Sequence, residues 1–226
     1  MGYFNAGFAF HQEPDWAALP ATSLRLLGYA HKSEKLYLLA CQERHRTENE
    51  YPFTEFARDE SYVPVHNGLD PALVETLANA SNAVSGGYYD LLVRNALLLG
   101  QDLAARLKSP LVFFAVNDDM LNLSFTQDAE GKLTGFLFQS DGLVELKADG
   151  RVQVCPIYSE EDEEECGPNP SDLQGVEWGP ANSDPLCFCS APLKLWPASW
   201  PNPEKGFGLG TWDIFENFAK DFVKKT

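Results

Sequence analysis

Leu92, Ala96, Leu99, Leu103 and Leu107 recur at spacings of three and four, with Val93 and Leu97 beside them. That periodicity lays a wide apolar stripe along one side of a helix and predicts the main core helix of the fold. Pro110 stops it, because proline has no N–H to continue the ladder. Leu111 to Val116 follows as an unbroken apolar run of strand length, the composition of a strand covered on both faces.

Beyond it the pattern shortens and alternates. Leu121 to Phe125, Leu133 to Phe138, Leu143 to Leu146 and Val152 to Tyr158 are parted by Asp128-Ala-Glu-Gly131, Asp141-Gly142 and Asp149-Gly150. Alternating runs separated by Asp-Gly pairs predict an antiparallel meander, since Asp and Gly tolerate the positive φ of tight hairpin turns. Upstream, Tyr3 to Phe10 reads as a strand broken by Pro14 and Asp15. Ser23 to Ala30 and Lys35 to Cys41, joined across His31-Lys32-Ser33-Glu34, read as a hairpin in a first small sheet.

Residues 43–68 are polar and broken by Pro52 and Pro64, so they read as irregular, anchored by Tyr51, Phe53, Phe56 and Tyr62. Asp70-Pro71 then has the form of an N-cap with proline in the first helical position, and Leu69 and Val74 are spaced for a hydrophobic staple. A helix over about residues 71–80 follows from those signals, with Gly86-Gly87 as punctuation after it. At the far end, Ile214, Phe215, Phe218 and Phe222 at helical spacing predict a terminal amphipathic helix over Thr211 to Val223. Between lies a Pro- and Trp-rich segment: residues 168–203 hold 8 of the 15 prolines, with Trp178, Trp196 and Trp200 interleaved, which predicts an irregular strap.

The expected class is therefore α+β: an antiparallel meander plus an N-terminal hairpin, packed against one long and two shorter helices, with the irregular Pro/Trp-rich segment near the C-terminus. At 226 residues and 44% hydrophobic content, one domain over 1–226 is the expectation; a division near 110 is the alternative, with hairpin and helices before it and meander, strap and terminal helix after it.

Composition then narrows the function. No apolar run approaches the ~20 residues of a membrane span, and Met1 to Ala6 carries neither a secretory pattern nor a myristoylation signal, so the expected location is cytoplasmic. Five cysteines, an odd number, point to thiols and not to a disulfide framework. The net charge of -16 is uneven: residues 1–110 hold 9 basic against 13 acidic side chains and residues 111–226 hold 8 against 20. Such a field repels nucleic acid and anionic lipid, which draw proteins through Lys and Arg.

Six consecutive acids, Glu160, Glu161, Asp162, Glu163, Glu164 and Glu165, are the sharpest local feature. They suit either a docking surface for a basic partner or a solvated loop; they lack the spacing and turn glycine of a calcium loop. Asp118 and Asp119 follow the buried strand, where paired carboxylates serve metal or proton chemistry but are also ordinary turn residues. Cys187 and Cys189, with Cys155 and Cys166 upstream, miss the C-x2-4-C spacing of a structural zinc site. Cys41 with His45 or His66 is a candidate Cys-His pair that no flanking motif supports. Gly206, Gly208 and Gly210 resemble an anion-cradling loop yet match neither dinucleotide nor P-loop spacing.

These features predict a non-catalytic acidic protein, without cofactor or metal, that captures a basic protein partner through Glu160 to Glu165 together with Asp118 and Asp119. An inhibitor or immunity protein against a toxin would be of this kind. The alternatives are a small-molecule enzyme, in the form of a metal-assisted hydrolase using Asp118 and Asp119, and a structural subunit of a larger complex.

Overall fold

A computed structural model of the chain describes residues 4–20, 24–43, 68–87, 89–117, 121–159, 164–166, 173–180, 194–201 and 222–225. Asp70 caps the first helix, α1 (Pro71–Ala83), its Oδ1 accepting from the Ala72 N–H at 2.9 Å. Pro71 stands where no intrahelical donor is needed, and both staple residues, Leu69 and Val74, are buried in one core. The second helix, α2 (Asp90–Leu107), carries the leucine stripe; Leu92, Val93, Ala96, Leu97, Leu99 and Leu103 are all buried. It ends with Lys108 in the left-handed region at φ 49°, its N–H reaching back to Ala104 O, and Pro110 follows.

Strands β1 (Phe4–Phe10), β2 (Leu24–His31), β3 (Tyr37–Glu43), β4 (Leu111–Asn117), β5 (Leu121–Gln127), β6 (Leu133–Gln139), β7 (Gly142–Leu146), β8 (Val152–Ser159), β10 (Val176–Trp178) and β11 (Phe222–Lys224) form one sheet. Its order is β10-β8-β7-β6-β5-β4-β1-β3-β2-β11, and β9 (Glu164–Cys166) pairs with β8. All pairings are antiparallel except β10 with β8. The meander is thus β4 to β8, with strands close to the expected runs.

Three expectations are corrected. The N-terminal hairpin is not a separate small sheet: β1 pairs with β3 on one side and β4 on the other, so the hairpin and the meander are one surface. The cause lies in β1 itself, whose Phe8 and Phe10 enter one core while Ala9 enters another, the pattern of an interior strand. Secondly, two α-helices stand among the described residues, where three were expected. Of the expected terminal helix, 211–221 lies outside the described residues, and Phe222 and Val223 are in β11, paired with His31 and Ala30. Phe222 reaches the buried side chains of the second core in this way, and edge pairing with β2 outweighs its place in a helical spacing. Thirdly, the β6–β7 turn falls one residue early, at Ser140 and Asp141, with Gly142 the first residue of the strand. A Cβ there would come within 2.8 Å of Val84, at the end of α1, whose carbonyl accepts from the Asp141 N–H at 3.0 Å.

Both faces of the sheet are covered. On one, α1 and α2 lie over Phe8, Phe113, Phe125, Phe136 and Phe138. The Phe113 and Phe125 rings stack at 4.7 Å, and Phe8 tilts against Phe113 at 4.8 Å. Each such fully buried ring contributes about 1.5–3 kcal/mol. On the other face Val112, Phe114, Leu38 and Leu27 form a second cluster, with Trp196 and Trp200 packed against it, and Leu137 and Leu143 form a third beside Leu195. This explains why Leu111 to Ala115 is buried at every position. It also buries polar residues that alternation alone would turn to water: Asn122, Ser124 and Gln139.

A polar knot joins α2 to the β5–β6 turn. The Leu69 N–H donates to Gln101 Oε1 at 2.9 Å, while Gln127 Nε2 donates to Leu97 O and Gly131 O. Asp128 Oδ1 closes the turn by accepting from the N–H groups of Glu130 and Lys132.

Candidate functional site

The predicted partner surface centres on the connection between β8 and β9. Ile157, Tyr158 and Ser159 pair antiparallel with Cys166, Glu165 and Glu164. The last two acids of the run are therefore strand residues, and the run is bracketed by paired backbone. Glu160, Glu161, Asp162 and Glu163 lie outside the described residues, as do Asp118 and Asp119. On either side of the latter pair, Asn117 of β4 is in register with Leu121 of β5.

The acidic hairpin stands on a sheet edge rich in ion pairs. Arg151 binds Asp149 through Nε at 2.7 Å and Glu177 of β10 through NH1, and Lys147 binds Glu145. The Arg151 guanidinium holds the Asp149 carboxyl below the usual aspartate range by hydrogen bonding. These two cations are thus already engaged by acids of their own neighbourhood. Elsewhere Arg94 is held by Glu75 and Asp90, Arg106 by Asp102, and Lys225 by Glu13.

Cys155, on β8, is half-buried; burial is the largest influence on its thiol and pushes its pKa up, Lys147 acting against this and Glu145 with it. A thiol so placed is a poor nucleophile, since the thiolate is the reactive form. Cys41 is more extreme: it is buried in the helix-side core, and burial drives its pKa far up. Burial of this kind disfavours the thiolate form that a nucleophile uses. His45, His66, Cys187, Cys189 and the glycines 206, 208 and 210 lie outside the described residues. His11 stacks on Trp200, and His31 meets Phe222 edge-on while its Nδ1 accepts from the Ser33 and Glu34 N–H groups.

Among the described residues no group of three or more His, Cys, Asp or Glu is placed to hold a metal ion, and no helix is long and apolar enough to cross a membrane. Residues that pattern reading passed over are Asp102, whose carboxylate is closed off from solvent, and Asn122. The first was masked by its place in a leucine-rich helix, the second by an alternation that resembles an exposed position. No family model, curated protein or solved structure matches the chain.

Proposed function

We propose that this chain is a non-catalytic acidic binding protein of the cytoplasm that captures a basic protein partner, in the manner of an inhibitor or immunity protein against a toxin. The observation that carries the reading is the six-acid run Glu160 to Glu165, tied at both ends into the paired strands β8 and β9. Ser159 and Glu164 on either side of its centre are paired backbone, which favours an ordered charge cluster over a free tail. The wider field supports it. Residues 111–226 carry twelve more acids than bases, and Lys147 and Arg151 beside the hairpin are engaged by Glu145, Asp149 and Glu177. A field of one sign speeds encounter with a cationic surface and excludes anionic competitors.

The test is retention by the immobilised chain, from its host's lysate, at low and high salt, with a variant in which Glu160 to Glu165 are replaced by Gln and Asn. The expected result is a basic protein held at low salt, released at high salt and bound at least ~10-fold more weakly by the variant. Equal retention and equal salt response in the two proteins would remove the acidic run from the mechanism.

A further inference from the structure

The strand order puts β10, with β9 beside it on β8, at one edge of the sheet and β11 at the other. The width of the sheet between them is about 40 Å at the usual strand spacing. That is several times the ~10 Å screening length of 0.1 M salt, so each edge acts through its own charge and not through the molecular total. The β8–β9 edge carries Glu160 to Glu165. At the opposite edge Lys32 and Lys35 stand in the β2–β3 turn, β11 begins opposite His31 just before that turn, and Lys224 and Lys225 follow; all four lysines are exposed. Lys225 is held by Glu13 at 3.4 Å, whereas Lys35 and Lys224 have no ion pair among the described residues.

β11 is open as a strand as well as basic. The Lys225 N–H donates to Gly28 O at 2.7 Å, so by antiparallel alternation Lys224 turns its own N–H and C=O away from β2. Val223 beside it is 49% exposed. Like charges on one edge oppose its pairing with the same edge of another copy, the usual effect of lysine on an edge strand. Opposite charges on the two edges favour β9 of one copy against β11 of the next, where backbone pairing and ion pairs act together. Such a contact is not reciprocal: each copy keeps one edge of either kind, and association runs head-to-tail. We propose that the β11 edge, with Lys35 and Lys224, docks the acidic β8–β9 hairpin of a second copy of this chain. This rests on the reading of Glu160 to Glu165 as a docking element and names an occupant for it within the same protein.

The experiment is sedimentation of the purified full chain, up to about 0.5 mM, in about 0.1 M and about 1 M salt. Two variants are run beside it: one with Lys32, Lys35 and Lys224 changed to Gln, and one with Glu160 to Glu165 changed to Gln and Asn. The wild type is expected to gain mass with concentration at the lower salt and to return to monomer at the higher. Each variant alone should associate at least ~10-fold more weakly. Mixed in equal amounts, the two variants should recover association but stop at a dimer, because the mixture holds one acidic edge and one basic edge that can meet. If the lysine variant does not fold, Lys224→Gln alone takes its place in both the single and the mixed runs. A wild type that stays monomeric at the lower salt overturns the proposal, as does a lysine variant that associates like the wild type or a mixture that forms no dimer. A monomeric wild type that still holds a basic protein from lysate overturns self-association alone and leaves capture of a foreign partner standing.

Discussion

Arg106 Nε meets Asp102 Oδ1 at 2.7 Å, one turn apart on α2, and the Asp102 side chain is wholly shielded from solvent while that of Arg106 remains 31% exposed. A buried charge is tolerated because its partner lies within the same helix and keeps one side in water. Removing Arg106 withdraws this ion pair from a buried carboxylate. Arg106→Gln is therefore expected to destabilise by about 2–3 kcal/mol, below the full cost for a wholly buried pair because Arg106 is partly solvated. Adding Asp102→Asn in that background should recover part of the loss. Urea unfolding of the two variants and the wild type checks both statements.

Glu75 of α1 accepts two hydrogen bonds from Arg94 of α2, at 2.8 and 2.9 Å, and these hold its carboxyl below the ordinary value near 4.5. The folded form thus binds its proton less readily than the unfolded chain. The pair's stabilisation is present above about pH 4.5 and is lost as pH falls through the depressed value. Glu75 is 53% exposed, so screening keeps the effect under about 1 kcal/mol. Arg94→Gln should remove that part of the acid dependence, read as a smaller difference in urea midpoint between pH 6 and pH 3 than in the wild type.

Gly131 and Gly150 both adopt positive φ, at 83° and 86°, yet they differ in their surroundings. A Cβ on Gly131 would come within 2.7 Å of Gln101 Cγ and 2.9 Å of its carbonyl oxygen, whereas nothing lies within 4 Å of one on Gly150. Gly150→Ala should cost about 1 kcal/mol of backbone strain alone. Gly131→Ala should cost about 2–4 kcal/mol, because the turn is driven away from the Gln101–Gln127 knot. Thermal unfolding of the two variants gives the contrast.

The thiols of Cys41 and Cys155 should alkylate in a fixed order. Both are pushed up by burial, but Cys41 lies within the core while Cys155 is half-buried. At pH 8, iodoacetamide followed by peptide mass mapping should mark Cys155 first, with Cys41 protected until the chain unfolds. Labelling of Cys41 at a rate equal to Cys155 in the native protein would contradict the described core.

The local features of the fold were legible because each rests on neighbours in sequence. The Asp70 cap, the leucine stripe of α2 and the turns after Gln127 and Leu146 depend on residues a few positions apart, and the structure places them where those signals stand. Glu164 and Glu165 were legible as charge but not as strand, since the pairing that orders them comes from Tyr158 and Ser159 across a hairpin. Asp102 and Asn122 were legible in neither respect. Burial of a polar side chain depends on what lies opposite it, and no periodicity records that.

The chain by itself determined the two helices, the strands of the meander and the turns after Gln127 and Leu146, and that negative charge gathers after residue 110. Those properties follow from local dihedral preference and hydrophobic period. Tertiary structure alone decided that β1 sits between β3 and β4, that Phe222 closes the β2 edge as a strand, and that the second face of the sheet is covered. Strand order and two-sided burial arise from contacts between residues more than a hundred positions apart, such as Phe8 with Phe113, and it is the sum of such contacts that places Asn122 in the interior.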